Sequence, residues 1–267
     1  MITLRTHRQR RHFRRGEQDI WHTFSPERDT GPLPDGFGAL AVFDEVELPP
    51  GEDTAPRQDG EAETLTYVCE GTLAQEDSTG DSRLIAAGEF RQMTTGHRVR
   101  YREINASRTD RVRFFRVALR SSLSGLDGSS QQRRFTVAQR HNLLRVVASQ
   151  DGRKGSLRVH QDAFVCSGII DPGNFLVHEV LPGRSVWLHI VNGEATLNHI
   201  ILTQGYGVGV TNEPSASLEV RESTEILLVD MGPALQLQLI AETPLEQLDG
   251  ENRQALEQGR KVGRSFR

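Results

Sequence analysis

The chain has 267 residues, 36% of them hydrophobic and 25% charged, with a formal net charge of −4. That is material for one large or two ordinary domains. It speaks against a disordered chain and against a helical membrane protein, since no stretch approaches the ~20 apolar residues that span a bilayer. The mildly acidic balance also excludes a protein whose whole surface binds polyanions. Of 32 basic residues only Lys154 and Lys261 are lysines. The arginine excess fits codon bias in a GC-rich bacterial genome, with a polyanion-binding face as the alternative.

The Arg-rich start, Met1 to Arg15, has no apolar run behind it and does not read as a secretory signal. Its cluster Arg5, Arg8, Arg10, Arg11, Arg14 and Arg15 is either a phosphate-contacting arm or an edge strand and loop whose arginines face water or acidic partners. With little aromatic interleaving and no recognition helix, nucleic acid is not the expected partner. Strand patterns follow, with apolar residues largely at every second position. They cover Gly38 to Leu48, Thr64 to Cys69, Arg83 to Ala86, Phe90 to Thr94 and Val112 to Leu119. The polar stretch Ser121 to Ser130 marks a boundary. The rhythm resumes over Leu143 to Ala148, Ala163 to Ile170, Phe175 to Leu181, Val186 to Val191, Leu218 to Val220 and Ile226 to Val229. Glu70-Gly71-Thr72 and Asn192-Gly193-Glu194 look like corresponding hairpins of two similar β units.

The fold class expected is therefore all-β, with two tandem sandwich or barrel domains. An N-terminal domain over 1–130 and a C-terminal domain over 131–240 precede a polar, partly helical tail at 241–267. Cys69 and Cys166 sit in apolar runs and read as buried reduced thiols of a cytoplasmic protein. Gly205-Tyr-Gly207-Val-Gly209 lacks the spacing and the following helix of a dinucleotide loop, and reads as a Gly-rich β-turn. His178, His189 and His199 lie in different strands at spacings that select no metal site.

The segment 51–105 carries the most information. Arg57-Gln58-Asp59, Glu63, Leu65-Thr-Tyr-Val68 with Glu70-Gly71, Gly88, Thr94-Thr95-Gly96 and Tyr101-Arg102-Glu103 follow, in outline, the paired motif of the cupins. Trp21-His22-Thr23-Phe24-Ser25, Ala87-Gly88-Glu89-Phe90, Gln132-Arg133-Arg134-Phe135 and Gly155 to Asp162 narrow this further. The chain resembles the pirin family, a branch of the bicupins, over roughly residues 1–232.

The resemblance implies two cupin domains and a metal site in the first, usually iron held by three histidines and a glutamate. Here Arg57 and Asp59 stand at the first two histidine positions, Tyr101 stands at the third, and Glu103 alone is kept. Imidazoles give such a site its affinity for a mid-row divalent ion, and an arginine stays protonated and cannot ligate. The expectation is a degenerate, metal-free site with no cofactor, in which Arg57 replaces the metal by binding Glu103 and Asp59, and Tyr101 closes the network. His97 is the one nearby imidazole that could rescue a weak site with Asp59 and Glu103.

No residue is assigned a catalytic role. Arg57, Asp59, Tyr101, Glu103 and His97 are expected to line a pocket for a small anionic or polyhydroxylated ligand. The function expected is that of a non-catalytic regulatory or binding protein with a small-molecule or protein partner. The alternative is a metal-dependent oxygenase of the quercetin 2,3-dioxygenase type, an activity that some pirins resemble.

Overall fold

The computed structural model describes residues 1–24, 33, 36–58, 62–94, 99–121, 123 and 125–233. Asp59, His97 and the tail 241–267 lie outside them.

The first half supplies β1 (Ile2–Arg5), β2 (Arg11–Arg15), β3 (Gln18–His22), β4 (Leu40–Leu48), β5 (Glu63–Glu70) and β6 (Thr72–Asp77). It continues with β7 (Ser82–Ala86), β8 (Glu89–Thr94), β9 (Tyr101–Asn105), β10 (Val112–Leu119) and β11 (Ser129–Arg134). The second half supplies β12 (Arg145–Ser149), β13 (Leu157–Arg158), β14 (Ala163–Ile170), β15 (Phe175–Glu179) and β16 (Ser185–Asn192). It ends with β17 (Glu194–Leu197), β18 (Ile200–Thr203), β19 (Gly207–Thr211), β20 (Ser215–Val220) and β21 (Thr224–Met231).

Each half builds a sandwich of one large and one small sheet. In the first, the seven strands β11-β8-β5-β10-β4-β3-β2 face the three strands β7-β6-β9. In the second, β1-β19-β16-β21-β14-β12-β13 face β15-β20-β17-β18. β1 belongs to the second barrel, where it pairs antiparallel with β19, while β11 closes one edge of the first.

Side-chain alternation explains the layering, because successive residues of a strand point to opposite faces. On β10, Val112 and Phe114 join Val46, Leu48, Val68, Leu73 and Ile85 inside the first barrel. Its intervening residues Phe115, Val117 and Leu119 join Phe43, Tyr67, Trp187, Val229 and Met231 in a core shared by the two large sheets. Both faces of the central strands are thus covered, which is why they read as near-continuous apolar runs. A buried carboxylate adds a tie between halves: Glu63 accepts the backbone N–H groups of His160 and Gln161, each at 2.9 Å to Oε2.

Two turn readings change. The segments around Gly71 and Gly193 are corners that carry the chain from a large sheet to a small one, since β6 pairs with β7 and β9 and never with β5. Both glycines have positive φ, +79° and +86°, and a Cβ there would meet the backbone oxygens of Arg111 and Ser223 at 2.6 and 2.4 Å. Only glycine serves both conditions. Gly207 and Gly209 lie in strand β19 rather than in a turn, and a Cβ on them would strike the rings of Trp187 and Phe37 at 2.2 and 2.5 Å.

Candidate functional site in the first barrel

The loop after β4 runs back across β9. Arg57 and Tyr101 form an isolated antiparallel bridge, with the Arg57 N–H donating to the Tyr101 carbonyl at 2.7 Å and the return bond at 3.0 Å. Directly paired residues present their side chains on one face, and Glu103, two residues on from Tyr101, shares it. Glu103 is pinned by Thr54, which donates its N–H to the Glu103 carbonyl and accepts the Glu103 N–H on Oγ1. Three of the five expected pocket residues therefore come together. Tyr101 and Glu103 are 1% and 0% exposed, while the Arg57 side chain keeps 27% of its surface at the rim. Asp59 and His97 lie outside the described residues.

The cation on Glu103 is Arg116. Its Nε donates to Glu103 Oε2 at 2.7 Å, and its Nη2 lies 2.5 Å from the same oxygen. Arg57 sits 3.7 Å from Asp44 Oδ2, an oxygen that Arg116 Nη1 also approaches at 3.7 Å. In place of the expected Arg57, Arg116 serves Glu103 and both arginines flank Asp44, while the expected contact of Arg57 with Asp59 lies outside the described residues. The reason is register: Arg116 lies directly across β10 and β4 from Asp44, on the inward face that carries Phe114 and Val46.

His22 Nδ1 is 2.9 Å from Asp44 Oδ1. Burial pushes the Asp44 carboxyl up, but the hydrogen bond and charge of His22, with Arg57 and Arg116 behind it, hold it below the usual carboxylate range. Gln75, the direct cross-strand partner of Glu103, is 2% exposed, and its amide oxygen and nitrogen both lack a hydrogen-bond partner, as does Glu103 Oε1. Buried polar atoms are normally paired, so three such atoms on two facing residues mark this spot as unusual.

The described side chains are a poor fit for a mid-row divalent metal. Arg57 and Tyr101 offer a guanidinium and a phenol rather than imidazoles, and one oxygen of Glu103 is already bonded to an arginine. Among the described residues no group of three or more His, Cys, Asp or Glu side chains is arranged to hold a metal ion.

Asp44, Arg116, Gln75 and His22 were not singled out as site residues from the sequence. A signal for two of them was present. Asp44 falls in phase with Val42, Val46 and Leu48, and Arg116 in phase with Val112 and Phe114, so each is a charge on the apolar side of an alternating strand. The N-terminal arginines divide in two. Arg10 is buried on Glu45 at 2.7 Å and Arg5 donates to the Leu33 carbonyl, whereas Arg14 and Arg15 on edge strand β2 are exposed.

Two stacked sandwiches, each of a large and a small antiparallel sheet, with a polar cluster inside the first, define a bicupin. The family model Pirin matches residues 4–118, and the model for the quercetinase C-terminal cupin domain matches residues 146–231. The chain is 35% identical to a quercetin 2,3-dioxygenase of Escherichia coli (strain K12), over 87% of this chain and the whole of that one. The chain belongs to the pirin family. The crystal structure of the bacterial pirin YhhW of Escherichia coli in complex with nickel(II) superposes with a TM-score of 0.81 at 32% identity, covering 87% of this chain and 100% of that one. The structure of YhaK from Escherichia coli shares the fold at 23% identity, with a TM-score of 0.66 over 84% of this chain and 93% of that one.

Proposed function

We propose that this pirin works without the family's metal, as a cytoplasmic binding or regulatory protein whose first barrel takes a small anionic or polyhydroxylated ligand or serves a protein partner. The observation that carries this reading is the face shared by Arg57, Tyr101 and Glu103, with Arg116 already on the glutamate. An oxygenase of the family's type needs open coordination positions on a firmly held ion to bind substrate and oxygen. The polar lining supplies hydrogen-bond donors and acceptors instead.

The test is elemental analysis of protein purified without chelator, combined with oxygen uptake in the presence of quercetin, with and without added iron or nickel. The expected result is well below one equivalent of any transition metal and no uptake above buffer. One equivalent of iron, nickel or copper would overturn the reading.

The second reading, a quercetin 2,3-dioxygenase, is favoured by the name of the 35% identical relative and by the nickel bound to YhhW. Metal-dependent oxygen uptake would establish it.

A further inference from the structure

We infer that Arg116 is a built-in cation that takes the electrostatic place of the family's metal and keeps divalent ions out of this barrel. The inference rests on the metal-free reading above, but it assigns the cause to a residue outside the family's four ligand positions.

Two carboxylates, Asp44 and Glu103, are buried inside the barrel, 2% and 0% exposed. Buried carboxylates require compensating charge within a few ångströms. Arg116 sits between them, itself 1% exposed, with two nitrogens on Glu103 Oε2 and a third 3.7 Å from Asp44 Oδ2. The β10–β4 and β10–β5 ladders fix its Cα opposite Asp44 and Thr66, and Phe114 lies under its guanidinium, 5.4 Å from the ring centroid. Arg57 stands 3.7 Å from the second carboxylate.

A divalent ion bound to Glu103 would share that carboxylate with the Arg116 guanidinium in surroundings of low dielectric, where like charges repel strongly. Glu103 Oε1 is the only oxygen of that carboxylate left to a metal. Restoring imidazoles alone should therefore not restore metal binding.

The experiment makes Arg57→His and Tyr101→His together. With Glu103 these residues form a two-imidazole, one-carboxylate donor set of the kind that suits iron and nickel. Nickel chloride is titrated by calorimetry, and metal content is measured after dialysis. With Arg116 intact, the expected retention is below about a tenth of an equivalent. Adding Arg116→Met should raise it to about one equivalent, tighten the nickel Kd at least ~100-fold, and make the melting temperature rise with nickel concentration.

Stoichiometric nickel with Arg116 intact overturns the inference, as does a triple variant that binds no better than the double. Metal in the natural chain overturns the metal-free reading instead, so the two failures are distinguishable. Should the triple variant not fold, the natural chain carrying Arg116→Met is compared with Arg116→Met/Glu103→Gln. Neutralising the glutamate should recover at least half of the lost melting temperature, and no recovery overturns the inference.

Discussion

The two barrels are the same construction with their buried charges in different places. Strand positions correspond when counted from the corner glycines, Gly71 and Gly193, and from the inward faces of β10 and β21. Leu73 and Gln75 then match Ala195 and Leu197. Their cross-strand partners, Asn105 and Glu103, match Val220 and Leu218. Arg116, opposite Asp44 and Thr66, matches Leu228, which lies opposite Cys166 and Leu188. Each of these polar residues has an apolar counterpart in the second barrel's core, and the second barrel buries its charge elsewhere, at Asp230 of β21, which is bonded to His178 and Arg184. The scaffold therefore does not need charges at these positions. Backbone pairing and a layer of alternating apolar residues suffice to fold a cupin barrel, and the first barrel keeps its charged cluster against the cost of burying it.

Transplanting the charge should have the largest effect. Leu228→Arg places a guanidinium among Cys166, Leu188 and Leu218 with no carboxylate across from it, and Asp230, two residues on, is already bonded to His178 and Arg184. An uncompensated buried charge of this kind should cost more than ~4 kcal/mol and leave the protein insoluble or unfolded, judged by soluble yield and circular dichroism. A well-folded variant would show that the second barrel tolerates charge as the first does.

The reverse exchange should be smaller and of opposite sign. Replacing Asp44, Gln75, Glu103 and Arg116 together by the second barrel's Cys, Leu, Leu and Leu removes both buried carboxylates, the buried arginine and the unpaired amide at once. Exchanging a buried ionic group for packed apolar side chains is often neutral or stabilising by about 1–4 kcal/mol. Urea denaturation is the readout, and a loss of several kcal/mol would mean that the cluster stabilises the fold.

Acid response should separate the barrels from the core between them. His189 is fully buried against Phe43 and Phe115, with ring centroids 4.6 and 5.5 Å away, and neither ring nitrogen has a hydrogen-bond partner. Burial, followed by the charges of Arg10 and Arg113 and then His7, holds its pKa well below the ordinary histidine value. Above pH ~6.5 the ring is neutral in both folded and unfolded chains. Below that, only the unfolded chain takes the proton, so stability falls with pH at up to ~1.4 kcal/mol per unit until the folded value is reached. His189→Leu should flatten this loss between pH 6.5 and 5, and denaturation curves at pH 7, 6 and 5 check it. An unchanged slope would place the acid response elsewhere.

The smallest effect concerns the thiols. Burial pushes the Cys166 thiol up to about 12, with the Asp230 charge adding to it, and pushes Cys69 higher still. Both should ignore a thiol reagent at pH 8 in the folded protein and react fully in denaturant. Fast reaction of Cys166 would show that the second barrel opens more readily than the burial of its core suggests.

Much of this was legible beforehand. The runs Val112 to Leu119 and Ala163 to Ile170 carry their periodicity and their turn punctuation locally, and both are strands with those ends. The short strands β6, β9, β17 and β18 were missed. β6, β9 and β17 are polar or interrupted segments, held by their neighbours rather than by their own propensity, while β18 is an apolar run of only four residues. β19 is hidden in the sequence because glycine and valine alternate along it, a pattern shared with turns. The purpose of the glycines is to admit Trp187 and Phe37, residues distant in sequence.

The sequence by itself determined that the chain is a pair of β units, because strand alternation is a local property; the placing of Arg57, Asp59, Tyr101 and Glu103 at the pirin ligand positions is what the resemblance implies. Only the tertiary structure decided that β1 completes the second barrel and that Arg116 rather than Arg57 is the cation on Glu103. Both depend on which strands lie side by side. That pairing is set by the burial of apolar faces across the whole fold, and no window of the sequence contains it.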